Sequence, residues 1–332
     1  MNFEHNPALR ASARQTFEEE AWLLGQPSLR GYLDYLEESS GAGPSFDRRA
    51  AVDEWRAAND YYYDLEQSEA GFAEQKVTAD IDPSLDDIAT TIKADARFRR
   101  AFNCLPTRIA MLELDRLIVS QRHVNVDHAI RLEAELGANP SPEAVFRRCL
   151  ALDGATAPVE VRKTGSSRYQ FWSSSSDMRF QEPVLLGAEQ IVGYEGFGPL
   201  GACVGLMVGF SSNFLSVIQS DDRYVIHNGH HRAYALRRMG FTHAPCIVQR
   251  VSRLDELALV ASSKVIARPE VYFRAARPPV LKDFFDPKIC KVLSVPKLLN
   301  LIEVSFEVKD FEVKDFAPNG VSSTDFIPRD RG

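Results

Sequence analysis

A mixed fold of the α/β (α+β) kind is what this sequence predicts, and three observations carry that expectation. A strand, a tight turn, a helix and a second strand follow one another between Asp221 and Val251. Residues 1–104 hold apolar side chains at helical three-and-four spacing. From Val159 onward the pattern changes to short runs of strand type. The chain has 332 residues, 45% hydrophobic and 26% charged, so it can build a sizeable core and disorder is not its default.

In chain order, residues 1–104 read as a helical region. Phe17 to Leu24 and Leu29 to Leu36 carry the helical spacing, separated by Gly25-Gln26-Pro27, and Ser39 to Ser45 is a loop. Asp47 to Leu65 continues as helix, with Trp55 and Tyr61-Tyr62-Tyr63 read as helix core or a partner interface ahead of base stacking. Asp82-Pro83 is an N-cap and N1 pair opening a helix to about Lys93. A second region, 105–252, begins with a strand from Ile109 to Leu114. Asn125 caps a helix that Gly137 stops, and Ser141-Pro142-Glu143 opens another ending near Leu150.

Strands are expected at Val159 to Lys163, Arg168 to Trp172, Val184 to Leu186 and Ala202 to Phe210, with Ser173 to Ser176 as a polar hairpin tip. Leu215 to Gln219 and Tyr224 to His227 then pair as a hairpin. Residues 253–332 form an extension: a helix over Leu254 to Ser263, breaks at Pro278, Pro279 and Pro287, a tandem FEVKD repeat read as strand, and a tail.

The net charge of −7 argues against a general binder of nucleic-acid backbones, whose affinity rests on Lys and Arg. The five cysteines, 104, 149, 203, 246 and 290, lack any C-x-x-C pair, which disfavours a disulfide framework and a zinc cluster; Cys149 and Cys246 read as buried. The longest apolar run, Leu200 to Phe210, is too short to span a bilayer, and no basic-plus-apolar leader is evident. The expected setting is cytoplasmic, without a membrane partner.

Chemistry concentrates where Tyr224 to His227 turns through Asn228-Gly229 into the helix His230 to Met239, which Gly240 closes. The first N–H groups of a helix lack intrahelical partners and carry partial positive charge, so such an end attracts anions. Arg232 adds a forked, permanently charged donor, and Asn228, His230 and His231 add polar groups. A nucleotide phosphate is the ligand these residues predict. The competing reading is a plain structural corner with Arg232 solvated. His227 and His231 could also converge on a zinc ion across the turn.

The segment VIHNGHHRAYALRRMGFTHAPCIV resembles the strand, D/N-G-H-H/T-R, helix, Gly, P-x-x-V strand signature of the ParB N-terminal domain and sulfiredoxin superfamily, nearest its ParB-like free-serine kinase branch. MLELDRLIVSQRHV, from Met111 to Val124, is similar to the family's first strand and ligand-facing loop. Residues 105–135 and 213–252 are the parts that superpose, which leaves about 141–212 as an insertion: a lid, a substrate-selecting wall or a dimer surface. The resemblance implies Asn228, Gly229, His230, His231 and Arg232 as nucleotide-binding residues, with Mg²⁺ and ATP, ADP or CTP as the cofactor set.

The resemblance also implies a carboxylate base in the loop and a second acid before the turn glycine that helps hold Mg²⁺. Those positions carry Gln121 and Asn228. Gln121 can orient a hydroxyl but cannot accept its proton at neutral pH, and Asn228 can offer one oxygen to the metal. With Gln121, Asn228 and His230 as the catalytic set, the expectation is phosphoryl transfer to a small-molecule acceptor, or triphosphate hydrolysis. Sulfinic-acid reduction is excluded, because His230 stands where that chemistry needs cysteine. The alternatives are a non-catalytic CTP- or ATP-dependent switch acting through a homodimer interface, and a ParB-like DNA-associated factor.

Overall fold

The computed structural model describes residues 17–26, 28–40, 46–75, 81–152, 157–175, 177–193, 198–210, 213–309, 311–313 and 326–328. Helices and sheets are mixed, as an α+β chain requires. Two compact units divide it: Ala13–Ala155 with Ser212–Lys297, and Met1–Ser12, Thr156–Ser211 and Leu298–Gly332.

The elements begin with strand β1 (Phe17–Leu23), helices α1 (Leu29–Ser40), α2 (Arg48–Ser68), α3 (Asp86–Ala94) and α4 (Ala96–Ala101), and strands β2 (Thr107–Glu113) and β3 (His123–Asn125). Helices α5 (Val126–Leu136) and α6 (Pro142–Cys149) lead to the smaller unit's β4 (Glu160–Lys163), β5 (Arg168–Ser173), β6 (Met178–Phe180), β7 (Val184–Leu186), β8 (Cys203–Gly205) and β9 (Val208–Phe210). The larger unit resumes with β10 (Ser216–Ser220), β11 (Arg223–Asn228), α7 (His230–Arg238), β12 (His243–Arg250), α8 (Leu257–Val260), α9 (Ser263–Ala267), α10 (Pro269–Phe273) and β13 (Cys290–Pro296). The smaller unit ends with β14 (Asn300–Ser305), β15 (Phe311–Val313) and β16 (Phe326–Pro328).

A four-stranded sheet, order β11-β10-β12-β2, is the centre of the larger unit. Strands β10 and β11 form the expected hairpin. Strand β12 runs parallel to β10, so the connection through α7 is a crossover, and β2 closes the sheet antiparallel to β12. Val217, Ile226, Leu236, Cys246 and Ile247 are sealed from solvent in this core, each large aliphatic stabilising by roughly 1.5–3 kcal/mol. The loop after β2 runs beside β11: Ile118 N–H donates to Tyr224 O at 2.9 Å, and Ile226 N–H to Ile118 O at 2.8 Å. Asp47, Asp82, Asn125 and Ser141 cap their helices through side-chain oxygens, as their sequence positions predict.

The helical expectation for Phe17 to Leu24 is corrected: Phe17–Leu23 is the middle strand of a second sheet, order β13-β1-β3. Phe17, Ala21 and Leu24 mimic a helical stripe, but the second half of β1, Ala21 to Leu23, is buried on both faces. Ala21 and Leu23 enter the main core, while Trp22 and Leu24 enter a separate one with Tyr32, Leu33 and Tyr62. Paired on both edges, the segment gains more from its ladders than helix propensity offers.

Other expectations shift at their ends. Leu114 opens a 3₁₀ turn to Arg116, so Glu113 and Asp115 do not share a strand face; Glu113 pairs with Arg116 and Asp115 with Arg237. Helix α6 packs within the larger unit, where Leu215 N–H donates to Cys149 O at 2.6 Å, and the middle segment of the smaller unit is Thr156–Ser211. Ala202 to Phe210 breaks into β8 and β9, which pair with β7 and β6, and Ser173 ends a strand paired with β4 and β14. The second FEVKD copy holds β15, whereas Phe306 to Lys309 in the first forms no regular strand. Residues 41–45 of the expected serine-rich loop, Ser176 and most of the expected tail lie outside the described residues. Among the described residues no helix is long and apolar enough to cross a membrane.

Arg277, wholly buried, ties three segments of the larger unit. It forms a fork with both Asp283 oxygens at 2.6 Å each and reaches Glu69 at 2.9 Å and the Tyr62 hydroxyl at 3.2 Å. Removing one partner of a buried pair leaves a dry charge, which costs about 3–5 kcal/mol. Asp283→Ala should therefore lower the urea midpoint by that free energy at an unchanged m-value; a loss under about 1 kcal/mol would show that Glu69 alone satisfies the guanidinium.

Candidate functional site

Gly229 turns β11 into α7 with φ +94° and ψ 23°, in the left-handed region that glycine tolerates. A Cβ there would lie 2.8 Å from Leu215 Cδ1 and 3.1 Å from Leu215 Cα, so space and conformation both require glycine. No side chain caps α7; the Arg232 N–H donates back to Gly229 O at 3.0 Å, so the N–H groups of His230 and His231 are the ones left to a ligand or solvent.

Five of the seven histidines gather at this corner, drawn from β3, α5, β11 and α7. His230 is buried with Nε2 sealed and unpartnered; burial, then the charges of His227, His123 and Lys264, push it down to about 3. Burial and the charges of His128, His230 and His123 push His231 down to about 3 as well, against an opposing pull from Glu20. Its ring lies edge-on to His128 at 5.1 Å. Both α7 imidazoles are thus neutral at pH 7, so they bring dipoles rather than charge. His243 lies on β12, beyond the other end of α7, opposite Glu113.

The expected role of Arg232 is corrected. Its guanidinium is buried and donates to Cys149 O at 3.2 Å and Asn213 O at 3.1 Å, and it also bonds Asn213 Oδ1. Burial lowers it to about 10, which leaves it charged at pH 7. Those acceptors turn the fork inward, where it ties α7 to the end of α6 and to the segment entering β10. Arginine in the first turn of a helix can point either way, and the two carbonyls decide its direction.

Gln121 lies in the loop beside β11, and its Nε2 donates to His123 O at 2.8 Å, which fixes the loop and leaves its amide oxygen and second N–H for a ligand. Asn228 is half-buried at the end of β11, opposite Ser216. Asn228, Gly229, His230 and His231 are together at the corner with Gln121 in the adjoining loop; only Arg232 faces away.

Two cations stand near that corner. Arg122, between Gln121 and His123, is half-buried; burial, with the charge of Arg268, lowers it against the opposing effect of Tyr272. Lys264, exposed on α9, is close enough to depress His230. Neither makes a hydrogen bond or carboxylate pair among the described residues.

Sequence reasoning also missed Glu20 and Tyr35, which meet His123 here. In the β1–β3 ladder Trp22 lies opposite His123, so Glu20, two residues along on the same face, is its diagonal neighbour. His123 Nδ1 is 3.0 Å from Glu20 Oε2, off the ideal hydrogen-bond direction, and the Tyr35 hydroxyl donates to the same oxygen at 2.5 Å. Burial pushes Glu20 up, but His123 and Tyr35 outweigh it and hold the carboxyl below its usual range. The loop sequence pointed to His123; nothing local pointed to Glu20.

Mg²⁺ takes oxygen ligands, preferably carboxylates. The corner offers imidazoles, the Asn228 amide and one carboxylate already engaged, a donor set that does not fit a resident Mg²⁺. Among the described residues no group of three or more His, Cys, Asp or Glu side chains is arranged to hold a metal ion. No family model, curated protein or solved structure matches the chain.

Two outcomes are expected. Arg232→Ala removes the guanidinium's hydrogen bonds to Cys149 O and Asn213, although Cys149 O keeps the Leu215 N–H, so denaturant unfolding should register a loss of about 1–3 kcal/mol; unchanged stability would return Arg232 to the ligand side. The second concerns acid. Unfolded histidine titrates near 6.5, whereas His230 and His231 stay neutral until about 3. Between those values the unfolded chain binds more protons, so stability is full above about pH 6.5 and falls as pH drops, by up to about 1.4 kcal/mol per pH unit for each imidazole. Urea midpoints from pH 8 to 4 should be level, then decline, with a shallower decline in His230→Gln/His231→Gln; equal slopes would refute the assignment.

Proposed function

We propose that the chain binds a nucleoside triphosphate, ATP or CTP, with its phosphates against the start of α7, as the ParB and sulfiredoxin resemblance implies. The observation that carries this reading is a nine-residue helix, without a side-chain cap behind a left-handed glycine, with Lys264 acting on His230 and Arg122 in the adjoining loop, neither paired with a carboxylate among the described residues. Oriented N–H groups hold a phosphate, and Arg122 and Lys264 neutralise it where Arg232 does not.

The chemistry we assign is transfer of the terminal phosphoryl group to a small acceptor or to water, in a cytoplasmic setting. Such transfer depends mainly on positioning and charge, so amides at Gln121 and Asn228 do not forbid it. A DNA-reading role has less support. Helices α8, α9 and α10 are four or five residues long and bury Leu257, Val265, Tyr272 and Phe273 in the core.

Calorimetry of the full chain with ATP and with CTP, each with Mg²⁺, tests the reading. Saturable binding of one triphosphate is expected, with Arg122→Ala and Lys264→Ala each weakening it roughly tenfold, the scale of a lost charged hydrogen bond. Absence of binding, or a double variant that binds like the parent, would overturn it.

A further inference from the structure

The expected base position holds Gln121, yet a different proton acceptor stands two residues along the same loop. His123 presents its two nitrogens differently. Nδ1 is buried against Glu20, while the side chain as a whole is 38% exposed and Glu20 only 16%. Nε2 makes no hydrogen bond among the described residues, and with Nδ1 sealed the ring's exposure belongs to its other edge.

The ring is also fixed in place. It lies against Trp22 at 5.4 Å and 16°, and Trp22 stacks on Tyr35 at 3.9 Å and 20°. Tyr35 in turn donates to Glu20. An ion pair that served stability alone would gain little with its imidazole this exposed. A carboxylate behind one nitrogen and an open edge at the other is the arrangement that fixes a tautomer and makes the open nitrogen a base.

We propose that His123 is the general base of the reaction assigned above, with Glu20 as its positioning residue. The acceptor hydroxyl, water in the simplest case, attacks the terminal phosphorus. Its oxygen forms the new P–O bond, its proton passes to His123 Nε2, and the bond to the bridging oxygen breaks with its electron pair leaving on the nucleoside diphosphate. Glu20 stabilises the imidazolium from the Nδ1 side. The charged and titratable groups around the ring are Glu20 from β1, Tyr35 from α1, Arg122 next in sequence, and His230 and His231 from α7.

This inference rests on the triphosphate reading, and the experiment separates the two. Triphosphate affinity and phosphate release are measured on the full chain and on His123→Gln and Glu20→Gln, from pH 5 to 9. His123→Gln should keep its affinity and lose 10²- to 10⁴-fold in kcat, the usual contribution of a positioned base, with partial rescue by added imidazole. Glu20→Gln should lose less and move the acid limb of the rate profile to lower pH, a shift that a merely structural role would not produce. If the parent chain binds triphosphate but releases no phosphate, or His123→Gln keeps the parent's rate and profile, the base assignment fails while binding stands. Should no triphosphate bind, the functional reading fails and takes this inference with it. If His123→Gln misfolds by circular dichroism, the Glu20→Gln profile decides: an unmoved acid limb overturns the assignment.

Discussion

The pairing of β1 along both its edges is the constraint on which the candidate site depends. Phe17–Leu23 is laddered to Cys290–Pro296 on one side and to His123–Asn125 on the other. That arrangement joins three segments far apart in sequence. It also sets Glu20 diagonally across from His123, a relation no local preference of either segment could produce. Loop closure over such distances costs entropy that the ladders and the burial of Ala21, Trp22 and Leu23 must offset. Ala21 and Leu23 face one core and Trp22 the other, so a one-residue slip would exchange the two sets, and the register is specified by which core each fits.

The inward turn of Arg232 follows from the same economy of polar groups. Helix α7 crosses from β11 to β12 and must be joined to the end of α6, whose last carbonyls lack partners within their own helix. A guanidinium with five donors satisfies Cys149 O, Asn213 O and Asn213 Oδ1 at once. Lysine could not match that fork. Once Arg232 is spent on the scaffold, any positive charge for an anion has to come from elsewhere, and Arg122 and Lys264 arrive on separate elements.

How far the sequence was legible depends on whether a feature is local. The Asn228-Gly229 turn, the hairpin before it, the caps at Asp47, Asn125 and Ser141, and the loop carrying Gln121 all follow from residues within a few positions of one another. The direction of the Arg232 side chain does not, because it is set by Cys149 and Asn213 across the fold. Strand β1 was hidden for a related reason. A strand buried on both faces loses its period-two signature, and the chance spacing of Phe17, Ala21 and Leu24 supplied a helical one in its place. Glu20 falls inside that segment, and its ladder partner is about a hundred residues away.

The histidines at the corner bear on which chemistry is available there. His230 and His231 are too dry to carry charge at neutral pH, and a helix start flanked by neutral rings presents only partial charges. Neither is a suitable proton acceptor, since a base must tolerate becoming cationic and burial opposes that. His123 differs in its surroundings, with its side chain 38% exposed and the Glu20 carboxylate behind Nδ1. Within one cluster of imidazoles, burial separates His230 and His231, held neutral, from His123 and His227, whose side chains reach solvent.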